Sequence, residues 1–226
     1  MNIHKMLNIM PDDIIDITII DDKLRGFTKA KLIEIEGVKH VMKKGVSDGQ
    51  IREEYTANLI YRILGVNIPN MALYKTNNRY ILLSKYIENK KGLDLINNEN
   101  LARQEKIFEK ISHYFVADAF LANWDIFKLD NIIYDKNDNI YRVDSGGALR
   151  YRARGEMKGT AFKNDVAELQ TMLETAPIGI SKYLNKDKMN KQITAILHKK
   201  NEVLNLVKDD KDLYYKLQKR FESLMR

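Results

Sequence analysis

The 226-residue chain contains no cysteine. That excludes disulfides, thiolate nucleophiles and cysteine-based zinc sites, and it fits a reducing compartment. No apolar run approaches the roughly 20 residues that a membrane-crossing helix needs, so no membrane insertion is expected. The opening MNIHKMLNIMPDDIIDITII lacks a secretory pattern, because acids interrupt its apolar stretch. There is no G-x-x-x-x-G-K-[ST] phosphate loop and no G-x-G-x-x-G turn. The four histidines, His4, His40, His113 and His198, form no H-E-x-x-H pair. DKNDN, from Asp135, begins like a calcium loop. Ile140 stands where that loop needs glycine, however, and Gly146 where it needs glutamate, so a polar hairpin turn is expected there.

Hydrophobic residues make up 44% of the chain and charged residues 31%, a soluble globular composition of one domain or one two-lobed unit. The expected location is the cytoplasm, or a host cell's cytoplasm for a phage protein or secreted effector. The net charge is +7 and uneven. Residues 181–226 hold 12 Lys/Arg against 6 Asp/Glu, a balance of +6. These cations are mixed with acids and helical apolar positions, so a solvated helix face is expected. Nucleic acid, bound through this basic tail, ranks last among partners, because only Tyr214 and Tyr215 accompany the charges.

The pattern of the first part is strand-rich. Short strands are expected over 14–20, 31–35 and 38–43, with a loop over 23–29 and a turn at Gly37. A helix is expected over 50–64, with Ile51, Tyr55, Leu59 and Ile63 on one face and Gly65 as its stop. A strand pair over 71–74 and 79–83 follows. After a polar linker at 88–95, one long helix is expected over 101–123, with further helices over 164–174, 188–207 and 213–225. Asp118 falls on the apolar face of the long helix and is expected to be a buried, hydrogen-bonded acid. Trp124 is expected to anchor the core.

The stretch NWDIFKLDNIIYDKNDNIYRVDSGG places Asp125 and Asn131 before a hairpin and Asp144 after it, followed by Gly146 and Gly147. Phosphoryl transfer needs a lysine with an acidic partner to place phosphates, oxygen ligands for magnesium, and a carboxylate aimed at the acceptor hydroxyl. Lys43 at a strand end, Glu54 in the following helix, Asp125, Asn131 and Asp144 offer that set. Two glycines after Asp144 are expected to let the chain turn closely past the metal. Lys44 and Glu53 compete with Lys43 and Glu54 on sequence alone.

The order VMK, EYTANLIYRILG, LLSKY, NWDIFKLDN, RVDSGG resembles the protein-kinase-like fold over about 26–166, closest to its atypical branch of HipA-like and phosphatidylinositol kinases. The resemblance implies an α+β, two-lobed fold. Residues 1–88 form a small antiparallel-sheet lobe with one helix, and 89–226 form a mainly helical lobe carrying a catalytic hairpin. It implies ATP and Mg2+ as cofactors, with Lys43 on the phosphates, Glu54 as its partner, Asp125 as the catalytic aspartate, and Asn131 and Asp144 on metal. Residues 83–86, with Lys85 and Tyr86, stand at the adenine hinge, and Gly26 and Lys29 in the phosphate-covering loop. Arg150, Arg152 and Arg154 stand in the activation segment, on one face if extended, where they can hold an acidic or phosphorylated substrate. Thr160 is a candidate for self-modification. The chain departs from the pattern in reading NWD for H-R-D, in a gap to Asn131 one residue longer, in D-S-G for D-F-G, and in lacking A-P-E. The implied activity is ATP- and Mg-dependent transfer to a hydroxyl, with a protein Ser/Thr acceptor. The alternatives are a non-catalytic pseudokinase or nucleotide-binding interaction module, and nucleotidyl transfer.

Overall fold

A computed structural model describes residues 17–21, 30–75, 79–88, 90–128 and 130–225. Gly26 and Lys29 lie outside the described residues, as does the first expected strand before residue 17.

Five antiparallel strands form the first sheet: β1 (Ile17–Asp21), β2 (Lys31–Ile35), β3 (Val38–Lys43), β4 (Met71–Lys75) and β5 (Tyr80–Lys85), in the order β1-β2-β3-β5-β4. β2 and β3 reverse through Glu36 and Gly37, both at positive φ, as a two-residue hairpin turn of this hand requires. Between β3 and β4 runs α1 (Asp48–Ile63). The Ser47 side chain caps it by accepting the Gln50 N–H at 3.2 Å, and Gly65, at φ 81°, ends it. Of the expected apolar stripe only Ile51 is fully buried; Tyr55, Leu59 and Ile63 are half-buried. The buried face instead carries Gln50, Glu53, Glu54 and Asn58 beside Ala57, Ile60 and Tyr61. Ion pairs and hydrogen bonds satisfy its polar side chains, which a hydrophobic-periodicity reading cannot see.

The second half is helical: α2 (Leu101–Ser112), α3 (Phe115–Phe120), α4 (Glu168–Thr175), α5 (Ile178–Ser181), α6 (Lys186–His198), α7 (Lys200–Leu206) and α8 (Lys211–Leu224). The single helix expected over 101–123 is therefore two. Gln192 of α6 explains the break: its amide donates to the Ser112 carbonyl at 2.9 Å and accepts the Val116 N–H at 3.0 Å. The helix expected over 188–207 likewise divides at Lys199. A second sheet, β6 (Lys91–Gly92), β7 (Ile132–Tyr134) and β8 (Ile140–Arg142), holds the hairpin. The expected linker thus enters the helical half as a strand. At the hairpin tip Asp135 accepts the N–H groups of Asn137 and Asn139, as a polar turn should.

The sheet half has a small core of Ile33, Ile81 and Leu83. The main core runs from Ala57, Ile60 and Tyr61 of α1 through Phe115 and Phe120 to Leu217 and Phe221 of α8. So α1, which packs on the sheet, also sends Ala57, Ile60 and Tyr61 into the core of the helical half. A buried network reinforces this. The Tyr61 hydroxyl donates to Asp118 Oδ1 at 2.9 Å, and Arg142 reaches the same carboxylate at 2.7 and 3.2 Å. Asp118 is the buried, bonded acid expected. Several tail cations pair with acids, as Lys182 with Glu105 and Lys188 with Glu109, which suits a solvated face. Among the described residues no helix is long and apolar enough to cross a membrane.

Candidate nucleotide and metal site

β3 ends on Lys43, which is 7% exposed, whereas Lys44 faces out. The Lys43 ammonium donates to Glu54 Oε1 at 2.7 Å and to Asp144 Oδ1 at 2.6 Å. Burial by itself would lower the Lys43 pKa, but the two carboxylates hold it well above the usual range. Partial desolvation in the cleft opposes ionisation of Asp144, yet the Lys43 charge and hydrogen bond, with the Gly146 N–H, bring its carboxyl below the usual range. Burial raises Glu54, with Lys43 pulling against it. Glu54 Oε2 is buried with no partner among the described residues.

Asp144 adopts a left-handed backbone, φ 57°. The chain then turns at Gly146 and Gly147, as expected: the Ala148 N–H closes that turn on the Ser145 carbonyl at 2.9 Å. Their role is close approach. A Cβ on Gly146 would stand 3.1 Å from Glu54 Oε2, and one on Gly147 2.6 Å from Asp125 Oδ2. Ser145, buried just before them, donates to Asn58 Oδ1 at 2.7 Å. Asn58 Nδ2 in turn donates to the Glu54 carbonyl at 2.8 Å. The serine of D-S-G thus tethers the Asp144 loop to α1.

Asn131 opens the hairpin, and its backbone carbonyl accepts the Val143 N–H at 3.0 Å, setting it beside Asp144. Its side-chain Nδ2 donates to the Asp125 carbonyl at 2.8 Å, which fixes the amide so that its oxygen is the atom a metal could use. Asp125 lies in a 3-10 turn, Trp124–Phe127, and its carboxylate pairs with Lys128. That turn packs inward through Ile126, so Trp124 faces out and is 47% exposed. The indole is not the core anchor expected.

Lys43, Glu54, Asn131 and Asp144 line one cleft of about 420 Å3 between the halves, with Val41 and Leu82 among its apolar walls. Lys85 and Tyr86 line it too. Their backbone N–H groups are used by the Asn70 and Lys39 carbonyls, so the sheet consumes the donors expected at the hinge. Among the described residues no cluster of three His, Cys, Asp or Glu could hold a metal unaided. One carboxylate and one amide oxygen at the cleft mouth suit magnesium, which takes one or two protein ligands and fills its shell with phosphates and water. The Asp144 side chain, with Lys43 on Oδ1 only, is 42% exposed.

Arg150, Arg152 and Arg154 do not share a face. Residues 151–157 form a small hairpin closed by the Tyr151–Met157 bridge, with the Arg152 N–H on the Glu156 carbonyl at 2.7 Å. Arg152 and Arg154 are exposed, while Arg150 is turned inward onto Glu53, Asp210 and Asp212. Thr160 is exposed in a 3-10 turn. Lys158 is buried and donates to the Ala122 and Gly147 carbonyls at 2.6 and 2.7 Å, pinning the Asp125 and Asp144 loops together. Sequence reasoning missed Asn58, Ser145, Lys128 and the role of Lys158. A signal existed for two of them: Asn58 lies one helical turn after Glu54, and Lys128 three residues after Asp125.

The fold is similar to that in the crystal structure of a Helicobacter pylori proinflammatory kinase, CtkA. The TM-score is 0.59 at 16% sequence identity, over 92% of this chain and 97% of that one. No protein-family model and no curated protein matches the chain. The protein has the two-lobed, kinase-like α+β fold, a small antiparallel-sheet half with one helix joined to a mainly helical half that carries the hairpin.

Proposed function

We propose that the protein is an ATP- and Mg2+-dependent phosphotransferase of atypical kinase type, acting on a hydroxyl, with a protein serine or threonine as acceptor. The observation that carries this is the Lys43 ammonium held between Glu54 and Asp144 in a buried cleft. A lysine so placed would hold a phosphate oxygen of bound ATP, and Asp144 and Asn131 would hold the metal. Magnesium, when bound there with the nucleotide, neutralises charge on the phosphates. Glu54 keeps Lys43 aimed. Asp125 orients the acceptor hydroxyl and takes its proton as the new P–O bond forms and the bond to the β-phosphate oxygen breaks. Lys128, on the Asp125 carboxylate, holds that carboxylate in place. The adenine is read beyond Tyr86, since the Lys85 and Tyr86 N–H groups are committed to the sheet. In this division of labour residues 1–88 serve the nucleotide, and residues 89–226 serve the metal and the acceptor.

The test is incubation with Mg2+ and ATP labelled at the γ-phosphate, beside Asp144→Ala and Asp125→Ala. Label should pass to the protein itself or to a generic protein acceptor, and both variants should lose it while staying folded. Nucleotide binding with no transfer would instead make the chain a nucleotide-binding module. Transfer of α-label would make it a nucleotidyl transferase.

A further inference from the structure

Two adjacent acids of α1 face different partners. Glu54 meets Lys43, while Glu53 meets Arg150, which lies six residues after Asp144. The Arg150 backbone N–H reaches Glu53 Oε1 at 2.5 Å and its Nε reaches Oε2 at 2.8 Å. The far edge of the same guanidinium reaches Asp210 at 2.5 Å and Asp212 at 3.1 Å. Asp210 is also the N-cap of α8, accepting the Leu213 N–H at 3.0 Å. One planar side chain therefore joins three carboxylates on two elements, which a lysine could not reproduce. Two further stitches lie on the Glu54 side of α1. Gln50 donates to the Arg152 and Ala153 carbonyls at 3.4 and 3.3 Å, and Asn58 accepts from Ser145. Successive residues of a helix are turned by about 100°, so fixing Glu53 fixes the rotation of α1 and hence the direction of Glu54.

We propose that Arg150 is a positioning residue that locks α1 to the C-terminal helix α8 and thereby holds Glu54 on Lys43, so that the fold itself sets the site without a modification or partner to swing α1 into place. This rests on the phosphotransferase reading of the site. It also gives the 181–226 tail a role, with α8 as the buttress against which α1 is set.

The test uses the full chain with Arg150→Gln, Arg150→Lys, Glu54→Gln and the Arg150→Gln/Glu54→Gln double variant. Hydrogen exchange of the α1 amides should quicken in Arg150→Gln while α2 and α3 stay as protected as in the unaltered protein. The kcat should fall roughly 10- to 100-fold, the scale of a misplacement of about 1 Å. Arg150→Lys should recover only part of that loss. In the Glu54→Gln background the Arg150 change should cost less than about twofold more, because it acts through Glu54. Unchanged α1 exchange, or a full additional loss in the double variant, would overturn the proposal. If Arg150→Gln fails to fold, Asp210→Asn with Asp212→Asn, which cuts only the α8 side, carries the same comparison. An unaltered protein that transfers no phosphoryl group defeats the phosphotransferase reading alone, since the exchange data still decide whether Arg150 locks α1.

Discussion

A methyl group added at Gly147 places a carbon 2.6 Å from Asp125 Oδ2 and 3.4 Å from the Ala153 nitrogen. Gly147 does not use a left-handed backbone, so alanine fits its φ. Ordinary contact begins near 3.4 Å, so the Asp125 carboxylate must retreat by about 0.8 Å while its other oxygen stays paired with Lys128. Swinging one carboxylate off its rotamer costs about 0.5–1.5 kcal/mol, so the fold survives. A reacting group misplaced by about 1 Å loses up to ~100-fold in rate. Gly147→Ala should therefore keep Mg·ATP affinity, since Gly147 does not line the nucleotide cleft, and lose roughly 30- to 100-fold in kcat. The assay is γ-phosphoryl transfer at saturating Mg·ATP, with nucleotide affinity and thermal unfolding measured on the same preparation. Gly146→Ala offers the contrast. Its new carbon meets Glu54 Oε2 at 3.1 Å and lies 3.5 Å from Lys43 Nζ, so it should weaken nucleotide binding first. A folded Gly147→Ala that transfers at the unaltered rate would refute the role assigned to Asp125.

Asp118→Ala leaves Arg142 buried without its carboxylate, and the loss should be about 3–5 kcal/mol in urea unfolding; a loss below about 1 kcal/mol would show that the network contributes little. Burial pushes Lys158 down to about 7, so from there to its ordinary 10.5 the unfolded chain binds more protons than the native one. This group's contribution to stability must therefore rise with pH across that window. The stability difference between the unaltered protein and Lys158→Met should grow from pH 7 to pH 10, and a difference that stays flat or shrinks contradicts the burial of that ammonium.

Local chemistry made the fold class legible. Strand runs at 31–35 and 38–43 around a glycine turn, and a helix stopped by Gly65, are short-range signals, and the structure has them. Asp118 was legible because an acid on an apolar helix face must find partners. The break after Ser112 was not, since it depends on Gln192, 80 residues away. Nor was the turn of Arg150, which is decided by Glu53, Asp210 and Asp212, each remote in sequence. Trp124 misled because its size suggests the core, whereas the phase of a 3-10 turn gave that place to Ile126. The buried face of α1 misled for the opposite reason: Gln50, Glu53, Glu54 and Asn58 are buried there on polar or charged partners, and periodicity weighs only apolar side chains.

The most direct measurement is electron paramagnetic resonance of Mn2+, standing in for Mg2+, titrated with a non-hydrolysable ATP analogue. In the unaltered protein the free-ion signal should fall when both nucleotide and protein are present. The fall should exceed that given by nucleotide alone, and Asn131→Ala and Asp144→Ala should each abolish the excess. The same excess in all three proteins would contradict a metal–nucleotide site held by Asn131 and Asp144.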